Sequence, residues 1–454
     1  MSYDLLVRDC RLVRPDAIVP CSIGIRAGQV AALLDAQATV DAHRVVQAEG
    51  RHVVPGLIDT HVHLANAGRT VAEDARSESR AAATGGVTTM LVYAVTRGSY
   101  DDVLPGWRRD VEAHSLVDVL FHVPIVVPDQ IGHIPGYAQR LGARSFKAFM
   151  AYKGREVSPS GIQGVTDGEL FDFFCQVASV PGGVALVHCE NIELIDWAQR
   201  PLRESGRQDT AAWSEGRPIF GELESIRRAL TFAEQAGAHF ALPHMGIGSG
   251  SEFLRQKRWG RARLTVETCP HYLLFSQDQD RGVAGKVNPP LREAAQVDAL
   301  WARLLDGTID MVGSDHCAYT RQTKGDELWS ARPGITGGTA MILPVLLSEG
   351  VRRGRLSLER LVWLTSAHPA QVFGLYPRKG ALEVGSDADL VILDEDREVR
   401  VEPPVLNTIS DFTPYQGYTA RGWSAMTVVR GRVVYEAGQL TDETPGGRAL
   451  LAAG

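Results

Sequence analysis

Two histidines one residue apart, His61 and His63, close the apolar run GLIDTHVHL. On a strand that spacing puts both imidazoles on one face. A lone buried histidine is most often a hydrogen-bonded core residue, but two side by side need a shared partner, and a metal ion is the usual one. Four further apolar runs carry or end in a polar group. SFKAFMAY holds Lys147, VALVHCEN holds His188, HFALPHMG holds His244 and DMVGSDH holds Asp315. A lysine inside an apolar strand is costly unless paired or chemically altered. Six candidate ligands exceed the roughly four that one zinc takes; they fit two divalent ions if one group bridges. A neutral amine bridges poorly. Its carbamate, formed by addition of carbon dioxide, offers one oxygen to each ion, so Lys147 is expected to be carboxylated.

These groups converge only if the runs that carry them lie side by side. Eight short apolar runs, at 52–64, 86–95, 117–127, 145–152, 184–191, 239–246, 263–270 and 310–316, read as buried strands. Helical stretches stand between most of them, among them 71–85, 167–179, 221–237 and 293–307. In the second of these, Leu170, Phe173, Phe174, Val177 and Ala178 share one face, and Thr166 with Glu169 form a candidate capping box. Repeated strand–helix units imply a parallel sheet, and eight of them satisfy a (β/α)8 barrel, whose strand ends open into one mouth. The fold class is thus α/β. No GxGxxG follows the first strand, which weakens an open dinucleotide-binding sheet. Residues 1–53 and 376–454 have a different texture, with alternating apolar and polar residues and a turn at Ala27-Gly28. Both read as β-rich and could pair into one small sheet domain, flanking a barrel over 54–375. The aromatic residues Phe412, Tyr415, Tyr418 and Trp423 would suit an interface, and the tail TPGGRALLAAG is expected to fray.

Composition narrows the partners. The 454 residues carry a formal charge of −7 and no long basic run, which argues against nucleic acid. No stretch approaches about 18 uninterrupted apolar residues, and the first residues carry charge where a signal peptide would be apolar, so no membrane partner and a cytoplasmic location are expected. Six scattered cysteines without CxxC spacing read as reduced thiols. Cys317 lacks an oriented base and Cys189 points away from the face of His188, so neither is expected to act in chemistry.

Taken in order, GLIDTHVHL, FKAFMAYKG, VHCEN, ETCPHYLLF, NPPLR, GSDH and GSDADLVILD make the chain resemble, over nearly its whole length, the cyclic amidohydrolases: dihydropyrimidinases (hydantoinases), allantoinases and dihydroorotases. The resemblance implies a distorted (β/α)8 barrel joined to a small β-sandwich made from both chain ends. It implies two divalent ions, with zinc expected, although such ligands also accept manganese, cobalt or iron. His61, His63 and Asp315 would hold the more buried ion, His188 and His244 the second, with carboxylated Lys147 between them. A bridging hydroxide would attack the amide carbonyl of a small cyclic substrate. Asp315 would move the proton to the leaving nitrogen, Tyr152 would stabilise the oxyanion, and Asn288 would hold the imide. Leu64, Tyr93 and Phe149 are candidate lining residues. The hydantoin or dihydropyrimidine ring is the first expectation, allantoin the next and dihydroorotate the third, since Ala65 stands where dihydroorotases carry a carboxylate-gripping arginine and only Arg69 is near. A non-catalytic scaffold of the family would have lost ligands, and here all six are filled. The family also implies a homo-tetramer.

Overall fold

The run 52–64, which reads as one strand, divides at Gly56. His52–Pro55 joins a nine-stranded sheet, and Leu57–His63 joins a ten-stranded one. A Cβ at Gly56 would lie 2.1 Å from the Thr88 hydroxyl, so any larger residue here would have to displace Thr88 or the strand it starts. The computed structural model describes residues 2–153 and 161–452.

In the ten-stranded sheet, Leu57–His63, Val87–Tyr93, Asp118–Pro124, Ser145–Phe149, Val184–His188, His239–Leu242 and Ala262–Thr268 lie in sequence order, each parallel to the next. The segment 311–317 pairs twice. Met311–Val312 runs beside Ala262–Thr268, and His316–Cys317 runs beside Leu57–His63. These strands are buried along nearly their whole length, as parallel strands covered on both faces must be. Helices return between them: Val71–Thr84, Tyr100–His114, Asp167–Ala178, Ile192–Glu204, Ile219–Ala236 and Ala294–Leu305. The Thr166–Glu169 capping box forms as the spacing predicts, and the helix buries Leu170, Phe173, Phe174 and Val177. Ala178 falls outside that face because it sits at the exposed last turn.

The two chain ends meet in the nine-stranded sheet. Leu390–Arg400 runs antiparallel to His52–Pro55, which pairs in turn with Tyr3–Val13. Ala27 and Gly28, both with positive φ, turn Ile18–Arg26 into Gln29–Leu34 as expected. Arg430 and Gly431 do the same between Thr419–Val429 and Arg432–Glu436. Leu5, Val7, Ile23, Ile25, Leu390 and Val428 belong to a separate apolar cluster on this sheet. All six cysteines are free thiols.

Residues 380–389 lead into Leu390–Arg400 and place Asp387 and Asp389 on the buried Lys379. Two expectations are corrected. The tail does not fray up to residue 452: the amides of Gly446 and Gly447 donate to Ser115 O, that of Arg448 to Asp118 Oδ1, and Leu450 is buried beside Val119. Its last two residues lie outside those described. Phe412, Tyr415 and Trp423 are buried within their own chain and Tyr418 is half-buried, so these aromatics offer no interface.

Candidate metal centre

His61 and His63 occupy the C-terminal end of their strand, and the pleat sends both to the same side. Asp315 meets them there, with Oδ1 3.3 Å from His61 Nε2 and 3.2 Å from His63 Nε2. One ligand atom from each of the three lies within 4.8 Å of the others. Lys147 Nζ is 3.2 Å from His61 Nε2 and lies over the Tyr93 ring at 4.7 Å. His188 Nδ1 and His244 Nε2 face one another at 3.1 Å, and the His61 and His244 ring centroids are 5.3 Å apart. All six residues named from the sequence therefore come together.

The outward nitrogens of two of these rings are fixed by carboxylates. His61 Nδ1 bonds Glu267 Oε1 at 2.9 Å, and His188 Nε2 bonds Glu190 Oε2 at 2.7 Å. With the protons held there, His61 Nε2 and His188 Nδ1 turn lone pairs inward, which is how second carboxylates prepare histidine for a metal. Burial, then the neighbouring Lys147 charge, pushes His61 and His244 well below the usual histidine range, so both rings are neutral donors. Burial likewise pulls the Lys147 amine down to about 8. Burial opposes ionisation of Glu190, yet Arg217 at 2.6 Å and His188 bring it down to about 2. Burial dominates at Glu267 and raises it to about 7, although Thr60 Oγ1 and the His244 amide donate to it. Burial opposes ionisation of Asp315, yet His63, Lys147 and His271 together hold it below the usual carboxylate range. Four imidazoles, two of them with inward lone pairs, an aspartate and a buried amine fit a divalent-metal site.

Backbone strain gathers at the same place. Tyr152 (φ 63°), His244 (φ 42°) and Asp315 (φ 49°) all adopt the left-handed region. Non-glycine residues there cost about 1–3 kcal/mol each and persist only where the surroundings over-determine them. Tyr152 lines the cavity beside His188, with ring centroids 5.7 Å apart. Asn288 lines it as well, and its buried Oδ1 has no hydrogen-bond partner among the described residues. Phe149 lines the cavity as expected. Leu64 packs in the core and Tyr93 stacks against His63 and His122, so neither faces the opening. Arg69 is engaged by Asp74 and Ser77 and does not line the cavity. Cys317 is buried, and burial pushes its thiol far up; Cys189 Sγ turns to Val187 O.

Sequence reasoning missed Glu267, Glu190 and Asp59. Asp59 accepts from Ser314 N, Ser314 Oγ, Thr339 Oγ1 and His61 N, which ties the His61 strand to the Asp315 segment. Each of the three is an acidic residue in or next to an apolar run, the same signal that singled out Asp315.

Parallel strands delivering histidines, lysine and aspartate to one mouth define a class of hydrolase, and residues 52–434 match the amidohydrolase family; the chain belongs to that family and is an enzyme. It is 34 % identical to the L-hydantoinase of Paenarthrobacter aurescens, over 97 % of this chain and 96 % of that one. With the allantoinase of Deinococcus radiodurans it shares 35 % identity over 99 % of each. The solved L-hydantoinase (dihydropyrimidinase) from Arthrobacter aurescens superposes with a TM-score of 0.89 at 34 % identity, covering 98 % of this chain and 99 % of that one. A solved D-hydantoinase gives 0.90 at 28 % identity, covering 100 % and 99 %.

Proposed function

We propose that the enzyme hydrolyses the C–N bond of a small cyclic amide, an imide or ureide ring of the hydantoin or dihydropyrimidine type. The observation that carries this reading is the meeting of His61, His63, Lys147, His188, His244 and Asp315 beside a cavity lined by Tyr152 and Asn288. His61, His63 and Asp315 would hold one divalent ion, zinc being the expected metal, and His188 with His244 a second. Lys147, carboxylated on Nζ, would reach both. When bound, two such ions supply Lewis acidity and lower the pKa of water towards about 7. Asp315, ionised and facing His63, accepts the proton of the attacking water and passes it to the leaving nitrogen. Tyr152 donates to the developing oxyanion. Asn288 holds the ring, and Phe149 and Pro333 shape the walls around it.

Allantoin is the second substrate to consider, favoured by the Deinococcus radiodurans relative. Dihydroorotate ranks third, because Arg69 is tied to Asp74 and a carboxylate would lack a bidentate partner. We read the strand path as a closed (β/α)8 barrel over 54–375, with residues 1–53 and 376–454 forming a small β-sandwich. Among the described residues no helix is long and apolar enough to cross a membrane; a cytoplasmic location and a homo-tetramer complete the reading. Light scattering at the 49.3 kDa of a single chain would remove the tetramer. The deciding experiment assays hydantoin, dihydrouracil, allantoin and dihydroorotate with metal-reconstituted protein. Turnover of hydantoin or dihydrouracil is expected to exceed that of the other two. Activity on none of the four, or a metal-free inert protein, would overturn the reading.

A further inference from the structure

The substrate cavity is framed on one side by two loops that carry no candidate metal ligand. One contains Lys286 and Asn288; the other contains Pro333 and Gly334. Both converge on Lys324, at the end of the short helix Arg321–Lys324. Its side chain is 1 % exposed, and among the described residues no ion pair joins it to a carboxylate. A buried amine is costly unless its hydrogens find acceptors within hydrogen-bond reach. Here the acceptors are backbone carbonyls. Lys324 Nζ donates to Lys286 O at 2.9 Å and to Gly334 O at 2.7 Å. The Gly334 amide donates to the same Lys286 carbonyl at 3.0 Å, closing a small cross-loop circuit. The Arg332 amide in turn donates to Lys324 O at 2.8 Å. Position 334 demands glycine: its φ is 132°, and a Cβ there would meet Cys317 Sγ at 2.8 Å.

We infer that Lys324 is a positioning residue for substrate, clamping the Gly334 loop to the Lys286–Asn288 loop so that this wall of the cavity is formed before the ring enters. The inference rests on the ring-hydrolase reading given above for what enters the cavity, but the clamp itself does not. A sulfur or hydrocarbon of the same length cannot donate to either carbonyl, so the loops separate, while the metal-ligand strands, to which Lys324 Nζ makes no hydrogen bond among the described residues, stay in place. Such a loss falls on ground-state binding of the ring more than on the chemical step.

Lys324→Met in the full chain tests this in two ways. Amide hydrogen exchange requires no substrate. Peptides covering 286–291 and 329–335 should exchange faster than in the parent protein, while those covering 57–64 and 184–189 should not change. On whichever ring the parent hydrolyses best, KM should rise by about ten- to a hundredfold, as expected for one or two lost hydrogen bonds, with kcat and bound metal preserved. Lys324→Arg, which keeps the charge and the donors, should restore part of the KM change. Unchanged exchange in both loops removes the clamp. Faster exchange with unchanged KM leaves a clamp without a substrate role and overturns the inference, as does a loss of metal or of kcat alone. Failure of both variants to fold makes Lys324 a folding determinant instead. If the parent hydrolyses none of the rings, the proposed reaction fails, and the exchange result still decides the clamp.

Discussion

At the scale of single residues, the centre separates groups that would hold metal from groups that would act on the substrate. Lys147 belongs to the first kind. It is 1 % exposed and lies against His61 and Tyr93. Its amine, held down to about 8 by burial, has a larger uncharged fraction at neutral pH than an ordinary lysine, and only the uncharged form adds carbon dioxide. Lys147→Ala should therefore lose bound divalent metal, and short-chain carboxylic acids should restore part of the activity by replacing the missing carboxylate. Metal analysis showing full occupancy in that variant would refute the bridging role. Tyr152 belongs to the second kind. Tyr152→Phe keeps the ring beside His188 and removes the hydroxyl, so turnover should fall on the order of 10²–10³. The fall should appear in both kcat and kcat/KM with metal content unchanged; a rise in KM alone would make Tyr152 a binding residue only.

At the scale of elements, the passage between the two sheets concentrates in one residue. Gly56 links His52–Pro55 to Leu57–His63, and Thr88 stands where its Cβ would be. Gly56→Ala must move either the Thr88 side chain or the start of the His61–His63 strand. The expected cost is about 1–3 kcal/mol, the usual range for overpacking a buried site. A lower thermal midpoint together with weaker metal retention would show that the strand start moved; a lower midpoint with normal retention would show that Thr88 gave way. The capping box before Asp167–Ala178 was legible because it depends on residues three apart. The division at Gly56 was not, because the obstacle is Thr88, on another strand.

At the scale of the whole molecule, a buried charge cluster is one of the links between the two sheets, beside their shared apolar core. Lys379 Nζ reaches Asp389 at 2.6 Å, Asp387 at 3.0 Å and also Asp118, which Arg430 pairs as well. Asp118 begins a strand of the ten-stranded sheet, while Arg430 turns a hairpin of the nine-stranded one. The tail joins the same cluster through the Arg448 amide. Lys379→Met would leave several carboxylates buried without their cation, and removing one partner of such a set costs about 3–5 kcal/mol. Denaturant unfolding should show that loss. The exposed Arg44–Glu436 pair provides the contrast: Arg44→Ala should change stability by about 1 kcal/mol or less. An equal effect of the two substitutions would mean that the cluster is not one of those links.

The sequence by itself determined which side chains could do the chemistry, which apolar runs carry them and the β-rich texture of the two chain ends. These were legible because each rests on local rules: alternation along a strand, an HxH spacing, a polar residue closing an apolar run. The six candidate ligands share that signature, and the structure brings all six together. What only the tertiary structure decided depends on groups remote in the chain. Glu267 reaches His61 across 206 positions, and Asp59 reaches Ser314 across 255. The aromatics near 412–423 looked free to meet a partner until folding placed three of them in the core, and the Gly-rich tail looked loose until Ser115 and Asp118 gave its amides acceptors. A hydrogen bond or a buried face exists only once both sides are placed, and no spacing within one segment encodes the other side.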